Sequence, residues 1–231
     1  MRYVFIHGAG CCSDIFSAQR AAFPDSLAVD LTGHGGRPGH AESIEAFADV
    51  VAGDLDRLNV NDAVLCGHSM GGAVALELGL RRLPRVKALV LLASGARLRV
   101  APALLAELTV GFEKAVAGLV GHFFAAPTAP LAERATAMFL ATGFRQTLAD
   151  FRACDAFDRT DRLGELALPV LALTGAQDIL TPPKYARLIA ERVPGAEVKL
   201  VEGAGHFAMI ERPDETNYAL RAFLRRIENA A

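Results

Sequence analysis

Three side chains in this chain could together open a carbonyl group: a serine, a histidine and an aspartate. The serine is Ser69, in Gly67-His68-Ser69-Met70-Gly71, a G-x-S-x-G pattern. An apolar run, Val64-Leu65-Cys66, stops at Gly67, and a helix-like stretch of Ala, Leu and Glu follows Gly71-Gly72. A serine at a sharp strand-to-helix turn is pushed out of the sheet top with a strained backbone. The residues two positions away must be small, since a larger side chain would collide with the turn. The following helix aims its N-terminus, with its partial positive charge, at the serine.

A serine hydroxyl is a weak nucleophile at neutral pH, so it needs a base, and the base needs an orienting acid. His206, in Glu202-Gly203-Ala204-Gly205-His206-Phe207, follows the last apolar run. Asp178, in Thr174-Gly175-Ala176-Gln177-Asp178-Ile179-Leu180-Thr181-Pro182, follows the run before it. The order Ser69, Asp178, His206 is the one used with a nucleophile elbow. His7-Gly8-Ala9-Gly10 closes the first apolar run, and the backbone N–H groups of Ala9 and Met70 are candidates to hold an oxyanion.

The other histidines read as supports. His7 is expected to orient the loop that follows it, and His34 to brace the turn at Asp30. The side chain of His68 is expected to point to the opposite side of the elbow. His40 and His122 read as surface residues. Asp150, Asp155, Asp158 and Asp161 lie close in sequence and read as helix caps and partners of Arg152, Arg159 and Arg162. No His, Asp or Glu spacing suggests a metal site, and no cofactor is expected. Cys11, Cys12, Cys66 and Cys154 lack C-x-x-C spacing and read as small buried residues.

Positioning these groups requires a sheet. Six short apolar runs read as strands: Tyr3–Ile6, Leu27–Val29, Ala63–Cys66, Val86–Leu92, Pro169–Leu173 and Val198–Val201. Unbroken apolar runs, rather than alternation, imply strands covered on both faces. Helical patterns lie between them: Ser43 caps a stripe of Ala46, Phe47, Val50, Val51, Leu55 and Leu58. Pro182-Pro183 opens a helix bearing Tyr185, Leu188 and Ile189, and Leu220, Phe223, Leu224 and Ile227 share a helix face. Alternating strands and helices predict an α/β fold, a mostly parallel sheet of about six strands with helices on both faces. Residues 97–165 contain no strand pattern and hold seven of the 13 Phe residues, so they read as a helical insertion.

With 231 residues, 52% of them hydrophobic and 22% charged, the chain suits one globular domain over 1–231. A formal net charge of −2 carries no nucleic-acid footprint. The longest apolar run, Ala88–Ala93, is far short of the roughly 20 residues a membrane span needs. No leader pattern follows Met1-Arg2, so a cytoplasmic protein without membrane insertion is expected.

These motifs resemble the α/β-hydrolase family. His7-Gly8 is similar to its oxyanion loop, Asp30-Leu31-Thr32-Gly33-His34-Gly35 to its D-x-x-G-H-G turn, and Gly67–Gly71 to its nucleophile elbow. Gly175–Pro182 resembles its acid turn and Gly205-His206 its histidine turn. The resemblance implies a lid at residues 97–165 and a Ser69–Asp178–His206 triad. The chain starts almost at the oxyanion strand, so the family's first two strands are expected to be missing; it also has no Trp. A serine at the elbow argues against carboxylate-nucleophile dehalogenases and epoxide hydrolases. The expected activity is cleavage of small or medium apolar carboxylic esters through an acyl-enzyme. Thioesterase, lactonase, carbon–carbon hydrolase and hydroxynitrile lyase chemistry remain alternatives, as does a ligand-binding receptor with vestigial activity. Leu104, Leu108, Phe112, Phe123, Phe124, Met138, Phe139 and Phe207 are the expected substrate pocket, with Leu105, Met70 and Met209 nearby.

Overall fold

A computed structural model describes residues 1–229. Six strands, β1 (Arg2–Ile6), β2 (Leu27–Val29), β3 (Ala63–His68), β4 (Val86–Leu92), β5 (Val170–Gly175) and β6 (Glu197–Val201), form one sheet in the order β2-β1-β3-β4-β5-β6. Every neighbouring pair is parallel. The six apolar runs read from the sequence are these six strands, with ends moved by one or two residues.

Both faces of the sheet are covered, which is why the runs do not alternate. Val4, Ile6, Leu65, Leu89, Leu91 and Ala172 face one apolar layer. Tyr3, Phe5, Val64, Cys66, Val90, Leu92 and Leu173 face the other. On the first face lie α2 (Ile44–Arg57), α3 (Met70–Leu80) and α8 (Lys184–Arg192), through Phe47, Val51, Leu55, Leu76 and Ile189. On the second lie the short α1 (Ser17–Ala22) and α9 (Ala208–Glu211) and the long α10 (Pro213–Asn229), which packs through Leu220, Phe223 and Ile227. Burying each such side chain contributes about 1.5–3 kcal/mol. Ser43 Oγ accepts the Ala46 N–H at 3.1 Å, so the cap read from the sequence starts α2.

Residues 97–165 hold four helices, α4 (Pro102–Val110), α5 (Phe112–Val120), α6 (Ala129–Thr142) and α7 (Phe144–Ala156), and a short 3-10 turn. Its one backbone bridge among the described residues, Arg97 to Asp158, ties the segment's two ends together. Among the described residues no helix is long and apolar enough to cross a membrane.

The elbow between β3 and α3 is the tightest point. A Cβ on Gly67 would lie 2.0 Å from the Gly71 carbonyl oxygen, and one on Gly71 would lie 2.2 Å from that of Ile6. The chain therefore presses α3 against β1 without side chains between them. Gly71→Ala is expected to cost about 3 kcal/mol or more in urea denaturation. Gly53→Ala, on the open face of α2 where a Cβ meets nothing within 4 Å, is expected to gain up to about 1 kcal/mol in the same assay.

Candidate active site

Ser69 occupies the turn with φ +52° and ψ −116°, a left-handed conformation that a non-glycine residue adopts only when its surroundings impose it. Those surroundings are specific. The Ser69 N–H donates to the Leu92 carbonyl at 2.9 Å, and Ser94 Oγ donates to the Ser69 carbonyl at 2.7 Å. The two bonds fix the peptide on both sides of the serine. Met70 begins α3, so its N–H is among the amides a helix leaves without an internal partner.

His206 Nδ1 lies 2.9 Å from Asp178 Oδ2. A carboxylate can only accept, so Nδ1 carries the proton and Nε2 presents a lone pair, the tautomer a general base needs. Asp178 is buried at the end of β5, where Oδ1 accepts the N–H groups of Leu180 at 2.9 Å and Thr181 at 3.0 Å. Oδ2 also accepts Thr181 Oγ1 at 2.8 Å. Burial works against the charged carboxylate, but the His206 ring and the Thr181 donors outweigh it and hold the Asp178 pKa at about 2, below its ordinary 3.8. The folded value lies below the unfolded one. This pair's contribution to stability is therefore complete above about 3.8 and is lost as the pH falls through about 2.

The His206 loop is held from the helical segment. The His206 N–H donates to the Phe123 carbonyl at 2.8 Å, and Glu211 accepts both the Gly205 and Ala125 N–H groups at 2.7 Å. Ser69 and His206 line a common cavity of about 280 Å³ with Ala9. Among the described residues no hydrogen bond joins Ser69 Oγ to His206; such bonds often tighten only in the substrate complex.

His68 departs from the sequence reading. Its ring turns toward the cavity and packs 4.8 Å from the His206 ring and 4.6 Å from Phe207. Its Nε2 donates to the His206 carbonyl at 3.0 Å, leaving Nδ1 unprotonated and without a partner against Gly8. Burial first, then the neighbouring His206, holds its pKa well below the ordinary value. His68 is the last residue of β3, and strand alternation puts it on the same face as Val64 and Cys66, toward Phe207.

The loop after β1 rests on a buried polar network. His7 Nδ1 donates to the Gly8 carbonyl at 2.9 Å and its Nε2 accepts the Leu31 N–H at 3.0 Å, so His7 is neutral. His34 differs: its Nδ1 faces the Thr32 carbonyl at 3.0 Å and its Nε2 faces Asp150 Oδ2 at 2.8 Å. Both partners only accept, so both nitrogens carry protons and His34 is an imidazolium. Burial alone would lower its pKa, yet the Asp150 hydrogen bond and charge raise it. Asp150, fully buried on α7, also accepts the Gly10 N–H at 2.9 Å and Gln146 Nε2 at 2.8 Å.

Asp150 is thus not the solvated cap expected from its neighbours in sequence. Nor do Arg159 and Arg162 pair with that cluster; Arg159 reaches Glu45 and Glu77, and Arg162 reaches Glu165. Asp155 accepts the Val100 N–H and Asp158 pairs with Arg97. Asp30 accepts the Ser13 N–H at 2.7 Å. His122 is exposed, while half-buried His40 bonds to Gln146 and Glu42. Cys11, Cys66 and Cys154 are buried, and burial pushes their thiols up; Cys12 is half-buried. Among the described residues no group of three or more His, Cys, Asp or Glu could hold a metal ion.

Of the expected pocket, Leu104, Phe123, Phe139 and Phe207 line the cavity, joined by Leu98, Leu119, Phe151, Ile179, Leu180 and Tyr185. Leu108, Phe112, Phe124 and Met138 do not. Leu108 is fully buried in the packing of α4, and Phe112 lies edge-on to Phe144 at 5.9 Å. Phe124 is turned 77° from Phe123 and packs against Phe207. Met138 precedes the cavity-facing Phe139 on α6, and adjacent helical residues point about 100° apart. Met70 and Met209 are core residues.

The profile of the alpha/beta hydrolase family matches residues 3–219. The chain belongs to the alpha/beta hydrolase family. It is an esterase-like hydrolase. Among proteins of known activity it is 29% identical to the pimeloyl-[acyl-carrier protein] methyl ester esterase of Aromatoleum aromaticum, over 92% of this chain and 93% of that one. It superposes on a thermophilic esterase with a TM-score of 0.87 at 33% identity, covering 97% of this chain and 90% of that one. An N-acyl homoserine lactone degrading enzyme superposes with a TM-score of 0.87 at 30% identity, covering 96% and 93%.

The buried Asp150–His34 pair gives a direct test. Asp150→Asn leaves His34 without its counter-charge and is expected to cost about 3 kcal/mol in urea denaturation near neutral pH. The wild-type pair contributes fully below His34's ordinary 6.5 and weakens as the pH rises through the raised value. The variant should lack that loss. A variant within about 0.5 kcal/mol of wild type would mean that the pair carries no charge.

Proposed function

We propose that this enzyme cleaves small or medium apolar carboxylic esters through an acyl-enzyme on Ser69. The observation that carries the reading is the Asp178–His206 bond beside a left-handed Ser69 in one cavity. His206 Nε2 takes the Ser69 hydroxyl proton as Oγ attacks the ester carbonyl carbon. The tetrahedral oxyanion sits against the Ala9 and Met70 N–H groups. His206 returns the proton to the departing alkoxide, which leaves as the alcohol. Water then enters, gives a proton to His206 and attacks the acyl carbon; the acyl–Oγ bond breaks, His206 returns the proton to Ser69 Oγ, and the acid leaves. Asp178 holds the tautomer and stabilises the imidazolium in both halves.

The cavity of about 280 Å³ sits at the small end of ligand sites and is walled by Leu, Phe and Ile, which favours a short apolar acyl or alkyl group. Residues 97–165 serve as the lid of a single-domain enzyme. The Phe123 and Glu211 bonds support a lid pinned at the His206 loop. A lactone is a cyclic ester, and the similarity to a lactone-degrading enzyme keeps lactones within the same mechanism.

Ser69→Ala is expected to lower p-nitrophenyl butyrate hydrolysis by about 10⁴-fold or more while leaving the thermal midpoint near wild type. A fluorophosphonate should label wild type once, at Ser69. Activity that survives the substitution would remove Ser69 from the mechanism.

A further inference from the structure

Beside the catalytic cavity lies a second groove of about 540 Å³. Arg99 and Tyr185 line both, so the two share a wall. Their chemistry differs sharply. The catalytic cavity is walled by leucines and phenylalanines. The groove is lined by Arg97, Arg99, Lys184 and Arg187, with Glu191 the one acid among its described lining residues. Arg97 is spent on Asp158 at 3.2 Å. No ion pair joins Arg99, Lys184 or Arg187 to an acid among the described residues. This local excess of positive charge sits on a chain whose net charge is −2, so it is not a consequence of overall composition.

The placement has a structural basis. Arg97 and Arg99 leave the sheet just after β4, and Lys184 and Arg187 lie on the first turn of α8, just after the Asp178 loop. Tyr185 is drawn down onto Gly95, where a Cβ would stand 2.4 Å from its ring, and Lys184 Nζ lies 6.0 Å from that ring's centroid. Thr160 adds a hydroxyl. Guanidinium and ammonium donors around one groove bind carboxylate and phosphate oxygens by charge-assisted hydrogen bonds.

We propose that this groove is a subsite for an anionic group, carboxylate or phosphate, carried by the substrate beyond its ester. The inference rests on the esterase reading above. It makes the preferred substrate an amphipathic one, with an apolar segment spanning the catalytic cavity and an anionic end on Arg99, Lys184 and Arg187. A groove of this size takes the end of a chain. Cations at its mouth also draw anions from solution, an effect that salt weakens.

The test compares methyl esters of equal chain length ending in a methyl group, a carboxylate or a phosphate, over a range of lengths. Wild type should favour one anionic series over the neutral one by about fivefold to tenfold in kcat/KM at low salt. The preference should shrink at high ionic strength, and the favoured series names the anion. Arg187→Ala and Lys184→Ala should each lower the anionic-to-neutral ratio. Equal rates for all three series, a preference for the neutral ester, or variants that leave the ratio unaltered would overturn the subsite. If no ester is turned over, calorimetry on Ser69→Ala still reads the groove. Tighter binding of the anionic ester, weakened by Arg187→Ala, would keep the subsite while the hydrolytic reading fails. No difference in binding would remove both.

Discussion

The close approach of α3 to β1 at the Ser69 turn constrains most of this molecule. Gly67 and Gly71 touch backbone where any other residue has a side chain, and that contact forces Ser69 into its left-handed conformation. The strain is carried by Leu92 and Ser94, which bind the peptide on either side. From this one turn follow the exposure of the Ser69 side chain to the cavity and the aim of the α3 N-terminus. Strain of this kind persists only when packing over-determines it, and here the covered central strands β1, β3 and β4 supply that packing.

Around the turn, the protonation of each histidine is set by what faces its ring. His206 keeps its proton on Nδ1, donated to the Asp178 carboxylate, which leaves Nε2 bare. His7 is neutral between a carbonyl and an amide, and His34 is charged between a carbonyl and a carboxylate. The charged pair is fully buried against the loop that follows β1. Its carboxylate comes from α7, so the helical segment helps to hold Gly10 as well as to cover the cavity. The same segment holds His206 through the Phe123 carbonyl. Both loops that flank the serine are therefore fastened to residues 97–165.

The motifs and strands were legible in the sequence because their signals are local. A strand covered on both faces must be apolar throughout, and a turn that touches backbone must be glycine. Such demands are met within five or six residues, so Tyr3–Ile6, Ala63–Cys66 and Gly67–Gly71 announce themselves. Chain order placed Asp178 and His206 at one sheet edge, since parallel strands bring their C-terminal ends together. The family profile and the esterase structures agree with that architecture.

What the sequence by itself determined was the α/β sheet, the helical segment between β4 and β5, and the chain order that brings Ser69, Asp178 and His206 to the same end of the sheet. Only the tertiary structure decided which apolar side chains of the inserted helices meet the cavity, because those that line it and those that pack away from it are equally apolar. Leu104 and Phe139 line it while Leu108, Phe112, Phe124 and Met138 pack elsewhere. Only the folded chain could bring Asp150 to His34, 116 residues apart, or set Arg99 beside Lys184 and Arg187. Charge pairing and burial depend on neighbours distant in sequence, and an isolated Asp or Arg reads the same whether it ends in water or in the core.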